Sequence, residues 1–242
     1  MPIQTEAMKD GNPLRVFVER YGWFPVDKDA IRGPVPNIRG IVAYSPFGFY
    51  IKRKLYIHNM GHSLCAYLGM YTGYQYIWQA IDNPDIFLLV KNSMLESARE
   101  LAEEYDMPIL LLLSHIDNLL VRFSNSTLGD TCARVGSDPL RKLGSHDRLT
   151  GAAMLCEVHG IPPRNIAVGV AAGIHRYLLQ EKKPQTLELA QNALGELCGI
   201  DIHSQLAMHV IARYLEISNG TCPQQLRISI QHESIQDGAD VV

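Results

Sequence analysis

The sequence predicts a mainly α, multi-helical domain behind a short extended or β lead-in. Three observations predict it. Ile86, Leu89, Val90, Met94, Ala98, Leu101 and Ala102 recur at three- and four-residue spacing, the period of one helix face. Helix caps and stops recur along the chain after residue 45. Strand-like alternation, by contrast, is confined to the first 45 residues. With 242 residues, 47% of them apolar, the chain is large enough to bury a full core.

Residues 1–45 read as an extended linker and strand remnant. Leu14-Arg-Val-Phe-Val-Glu19 alternates as a strand does, and Pro2, Pro13, Pro25, Pro34 and Pro36 punctuate the path, with Gly33 and Gly40 between them. A lone strand leaves its edges unpaired, so Leu14–Glu19 is expected to join a sheet, for which the rest of the chain offers few partners. Residues 46–225 read as helical. Pro46 to about Tyr67 forms the first helix. Asn83 caps the next periodic segment, with Pro84 at its first position. Pro108-Ile-Leu-Leu-Leu-Leu113 is short enough to be a buried turn of helix. Leu149–His159 stops at Gly160, with Pro162-Pro163 beyond, and further helices fit Asn165–Leu179, Thr186–Leu197 and Ser204–Glu216. Residues 226–242 form a polar tail, expected to fray or to add one more strand.

Composition narrows the function classes. A net charge of −3 gives no basis for broad nucleic-acid binding. No apolar run approaches the ~18 residues of a membrane span, and Met-Pro-Ile-Gln-Thr-Glu lacks the pattern of a signal peptide. Five scattered cysteines without a CxxC pair favour free thiols in a reducing compartment. The expectation is a soluble, cytoplasmic protein.

The chemistry is concentrated in Lys54-Leu-Tyr-Ile-His-Asn-Met-Gly-His62. On an α-helix at roughly 100° per residue, Lys54 and His62 lie about 80° apart, Asn59 and His62 about 60°, and Lys54 and Asn59 about 140°. All three can border one cleft, though the spread is wide for a single contact point. A lysine in such a cleft can serve as a general base, an asparagine amide can donate to a developing alkoxide, and a histidine can position the hydroxyl. That set suits proton transfer at an alcohol or ketone and needs no metal. Two other readings stand beside it. Lys52-Arg53-Lys54 fits a solvated basic face, and His58 with His62 stands at the i, i+4 spacing of a metal pair, although His58-Asn-Met-Gly-His62 lacks the acid of HExxH. Gly61 costs ~1 kcal/mol against alanine in a helix, which is tolerable where something must approach the backbone or the helix bends.

A second cluster holds Arg134, Arg141, Lys142 and Arg148, which can form an anion site or a charged surface offset by Asp130, Asp138 and Asp147. No G-x-G-x-x-G unit, Walker lysine or GxSxG elbow occurs.

Arg53-Lys-Leu-Tyr-Ile-His-Asn-Met-Gly-His62, followed by Ala66-Tyr-Leu-Gly69, resembles the catalytic signature K-x4-N-x2-H of the mannitol dehydrogenase family, the polyol-specific long-chain dehydrogenases. Lys54, Asn59 and His62 fall on its three positions. Arg122-Phe-Ser-Asn125, Asp130-Thr131, Arg134-Val-Gly136, Asp138-Pro-Leu-Arg-Lys-Leu143 and Asp147-Arg-Leu149 are similar in the same order. The wording around Asn59-Met-Gly-His62 and Pro139-Leu-Arg-Lys-Leu143 is closest to mannitol-1-phosphate 5-dehydrogenases. The resemblance extends to about residue 217 and includes the lead-in segments Pro13–Glu19 and Pro25–Lys28.

This resemblance implies a C-terminal substrate and catalytic domain without a complete Rossmann domain. Lys54 would be the base, Asn59 and His62 would hold and polarise the reacting oxygen, and NAD would be the cofactor, without zinc. Arg134, Arg141 and Lys142 become candidates for the phosphate end of a hexitol phosphate. The family also draws an active-site asparagine from its N-terminal domain, which this chain does not contain. Expected partners are a polyol or sugar phosphate and either a separate Rossmann-domain chain or a second copy of this one. The other reading is a non-catalytic module, derived from the same domain, that binds sugar phosphate or another protein.

Overall fold

The computed structural model describes residues 6–15 and 24–239. A single helical turn, α1 (Glu6–Lys9), opens it, and Leu14 closes the turn that follows. Residues 16–19 of the strand expected at Leu14–Glu19 lie outside the described residues. Sheet structure instead forms downstream. β1 (Phe24–Asp27) and β2 (Ile41–Tyr44) pair in parallel, Phe24 against Ile41 and Asp27 against Tyr44. The lead-in therefore contains its own partner strand, and Pro25 is tolerated because each strand of a two-stranded sheet has an open edge.

The helical body begins with a nearly unbroken rod. α2 (Gly48–Lys52) runs into a π-helix at Arg53–Asn59 and then into α3 (Met60–Tyr71). Lys52 and Asn59, at the two junctions, both keep right-handed helical dihedrals. α4 (Ile77–Asp82), α5 (Pro84–Glu104) and α6 (Ile109–Phe123) follow. A 3₁₀ turn at Ser126–Leu128 leads to the short helices α7 (Cys132–Val135) and α8 (Pro139–Lys142). α9 (Thr150–Val158), α10 (Arg164–Gln180), α11 (Leu187–Glu196), α12 (Gln205–Ser218) and α13 (Pro223–Ala239) complete it.

The core is built around α3 and α10. α10 packs against α12 and α3, and α3 also meets α4, α5 and α7. Small residues let these helices approach closely: a Cβ on Gly169 of α10 would lie 3.2 Å from Leu64 of α3, and one on Gly61 of α3 would lie 2.8 Å from the Met94 side chain of α5. Gly61 is thus explained by the approach of α5. From Met60 to Gly69 every residue is buried except His62.

Caps fix the helix starts. The Asn83 side chain accepts from the N–H groups of Asp85 and Ile86 at 3.0 and 3.1 Å, as the sequence predicts. The start of α10 is capped from a distance: buried Glu96 of α5 accepts from the N–H of Asn165 at 2.9 Å, the N–H of Ile166 at 2.9 Å and the Asn165 amide at 2.7 Å.

Two expectations are corrected. The described residues of the tail neither fray nor form a strand; α13 runs through them to Ala239. Its Leu226 and Ile230 are buried one turn apart, Arg227 Nε bonds Asp85 Oδ1 at 2.8 Å, and Glu233 pairs with buried Arg213 of α12. The helix is held by ion pairs and a narrow apolar contact, so its sequence shows no broad apolar stripe. Pro108–Leu113 is not a wholly buried turn either. Leu112 is buried, but Leu110 and Leu111 are 70% and 58% exposed, because successive leucines point around the helix and one face alone meets α5.

The two caps should differ in weight. Asn83→Ala should cost about 1 kcal/mol. Glu96→Ala should cost more, about 2–3 kcal/mol, because it leaves buried N–H groups unpaired. Urea unfolding measures both, and the reverse order would refute this account of α10.

Candidate active site

The π-helix determines how the signature residues are presented. Its hydrogen bonds join residues five apart rather than four. Lys54 and Asn59 are five apart, so the wider turn brings them nearer to one face than the roughly 140° separation of an α-helix allows. The wider turn ends at Met60, and α3 then carries His62 as its one unburied position between Met60 and Gly69.

Lys54, Asn59 and His62 line one cavity of about 390 Å³. His58, Ile77, Trp78, Arg122, Phe123, Asn125, Leu128, Asp130 and Arg134 complete its wall. Lys54 is exposed while lining it. The His62 ring stacks on Phe123, centroids 4.8 Å apart and planes 17° apart. Its Nε2 lies 3.6 Å from Asp130 Oδ2, and the other oxygen of Asp130 is paired with the Arg134 guanidinium.

Of the three downstream cations, Arg134 alone lines the cavity. Arg141 is exposed and bonds Asp138 at 2.8 Å and Asp147 at 3.1 Å. Lys142 is buried and donates to the carbonyl oxygens of Val135, at 2.6 Å, and Ser137. Burial, with Arg148 and Arg141 nearby, brings its pKa down to about 8. These two are corrections to the expected anion site: the acids of the same segment neutralise Arg141, and Lys142 holds together the loop behind Arg134.

Arg122, Asn125 and Asp130 were legible only as matching segments, not as wall residues. Arg122 comes from the last turn of α6 and Asn125 from the turn after it, and Asp130 is placed by an antiparallel bridge between Tyr76 and Thr131, in which the Ile77 N–H donates to Asp130 O and the Cys132 N–H to Gln75 O, both at 2.9 Å. Phe123 was legible only within the same matching segment as Arg122, and Trp78 carried no sequence signal beyond its apolar character.

The cavity favours neutral imidazoles. Burial, reinforced by Arg134, Arg148 and Lys142 and opposed by Asp130, lowers the His62 pKa to about 4. Burial, then His62, Arg122, Lys54 and His115, lowers His58 to about 3. The rings of His58 and His62 are 6.1 Å apart, and among the described residues no three His, Cys, Asp or Glu side chains are grouped to hold a metal ion. An exposed amine, an amide and a neutral imidazole can together accept a hydroxyl proton and hydrogen-bond the oxygen that loses it.

Residues 48–219 match the mannitol dehydrogenase C-terminal domain. The chain belongs to the mannitol dehydrogenase family. Its fold is shared with two solved structures. One is Pseudomonas fluorescens mannitol 2-dehydrogenase in a ternary complex with NAD and D-mannitol, 17% identical over 80% of this chain with a TM-score of 0.62. The other is D-sorbitol dehydrogenase in substrate-free form, 18% identical over 79% of this chain, also at 0.62. The matched region spans 42% of the length of each. As expected of the family's C-terminal domain, the described residues are mainly helical and contain no full Rossmann fold. Their one strand that leads into a helix, β2 into α2, does so through Ser45-Pro46-Phe47 without a G-x-G-x-x-G turn. No helix among the described residues is long and apolar enough to cross a membrane.

The histidines set a pH dependence. With folded pKa values below the ordinary 6.5, the unfolded chain binds more protons between about pH 3 and 6.5. Their contribution to stability is complete above 6.5 and is lost as pH falls through the folded values, about 4 for His62 and about 3 for His58. Urea unfolding should show that loss, and His62→Gln should lessen it; an unchanged pH slope in the variant would refute the assignment.

Proposed function

We propose that this chain is the substrate and catalytic domain of an NAD-dependent polyol dehydrogenase, interconverting a polyol or polyol phosphate with the corresponding ketose. The observation that carries the reading is the convergence of Lys54, Asn59 and His62 on one cavity. Lys54 takes the proton of the hydroxyl being oxidised. The Asn59 amide donates to the oxygen as it becomes an alkoxide, and the neutral His62 imidazole positions the hydroxyl before its proton leaves. These groups supply base and oxyanion donor without a metal. NAD, when bound, supplies the hydride acceptor; a Rossmann-type domain on a separate chain, or elsewhere in the assembly, holds it. Residues 1–45 then form the link to that domain, and the exposed edges of β1–β2 suit pairing with it or with a second copy.

The finer substrate reading is a hexitol phosphate and ketose phosphate, of the mannitol 1-phosphate and fructose 6-phosphate type. It is supported by Lys54, Arg122 and Arg134 lining a cavity whose only carboxylate among the described wall residues is Asp130. Guanidinium groups suit phosphate oxygens. The exposed position of Lys54 fits a base that a second domain covers.

Calorimetry on the full chain with mannitol, mannitol 1-phosphate and NADH tests the division of labour. Polyol or polyol-phosphate binding without NADH binding is expected, and tight NADH binding by this chain alone would overturn it. In an assembly that turns over, Lys54→Ala should lower the rate by ~10²-fold or more, whereas a loss under about threefold would remove Lys54 as the base.

A further inference from the structure

Asp130 lies between His62 and Arg134, paired with the arginine and close to the imidazole. One carboxylate oxygen lies 3.6 Å from His62 Nε2, the other is paired with the Arg134 guanidinium, and its side chain is only 19% exposed. The backbone that presents it is fixed as well. Ile77 N–H holds its carbonyl at 2.9 Å, and Thr131 caps α7 by accepting from the Arg134 N–H at 3.2 Å. Gly129 enters this unit at φ 62°, a left-handed turn that suits glycine. Asp130 and Arg134 therefore belong to one short unit anchored on the start of α4.

His62 needs what this unit provides. Stacking on Phe123 fixes the plane of the ring, but a stacked imidazole keeps two flip states that exchange its nitrogen and carbon edges. A carboxylate at one edge separates them, because it favours N–H over C–H. With Nε2–H turned to Asp130, Nδ1 is left as the acceptor of the ring. The same carboxylate offsets the charge of Arg134 and decides where its guanidinium rests.

We propose that Asp130 is a positioning residue of the polyol site, selecting the flip state of His62 and holding Arg134 to the same wall. The assignment rests on the function proposed above, and it makes Asp130 a brake on bare anions: the carboxylate repels them and competes with them for Arg134.

The test is Asp130→Asn, which keeps size but removes charge. Nitrogen NMR of the full chain, labelled at histidine, reads the His62 ring at pH 7, with the signal identified by His62→Gln. The His62 ring nitrogens should shift while those of exposed His203 and His232 stay in place, and Asp130→Glu should partly restore them. Inorganic phosphate should bind roughly two- to fivefold more tightly to Asp130→Asn, and mannitol about three- to tenfold more weakly. A purely structural role would weaken both. An unmoved His62 signal, or a parallel loss of both ligands, overturns the proposal. Should Asp130→Asn not fold, Arg134→Gln replaces it, since releasing the carboxylate from the guanidinium must also move the His62 signal. If His62 shifts but the unmodified chain binds no polyol or polyol phosphate, the Asp130–His62–Arg134 unit stands and the proposed function falls.

Discussion

Between Lys52 and Met60 the chain keeps helical dihedrals while its hydrogen bonds reach five residues instead of four. That wide turn reconciles two demands on one rod. α3 must be buried on nearly every side to serve as the centre of the helical body. The same rod must also offer an amine, an amide and an imidazole to one cavity. An uninterrupted α-helix would spread Lys54 and Asn59 around its circumference. The π-turn brings them nearer to one face and then returns the chain to α geometry, so that α3 can pack Gly61 against α5 and Gly69 against α4 and α7.

The charged wall follows from the same economy of placement. Its cations and acids come from neighbouring positions of one segment, and pairing begins within it: Arg134 with Asp130, Arg141 with Asp138 and Asp147. Exposed pairs of this kind contribute little stability. Their effect is to decide which cation remains beside the cavity. Lys142 is withdrawn entirely, spending its donors on the carbonyls of Val135 and Ser137.

Helix limits written as local chemistry were legible: the Asn83 cap with Pro84, the stop at Gly160, and the Thr186 and Ser204 caps of α11 and α12. Lys54, Asn59 and His62 were legible because they lie within nine residues. The π-turn was not, since no residue type marks it. α13 was missed because ion pairs to Asp85 and Arg213 hold a helix whose own sequence is polar. Asp130 and Trp78 reach the cavity beside a bridge between distant segments, and spacing carries no record of it. Leu110 and Leu111 show the converse: four consecutive leucines suggest burial, yet a helix cannot turn all of them to one face.

The Glu96 cap has a consequence for how the fold opens. Its partners, Asn165 and Ile166, lie 69 and 70 residues along the chain, so the first turn of α10 is completed by a helix formed far earlier in sequence. When α5 loosens, α10 loses its terminal acceptor, and when α10 unwinds, a buried carboxylate loses its donors. The two helices therefore belong to one cooperative unit, exchanging their amide hydrogens with solvent in a shared event rather than fraying from separate ends.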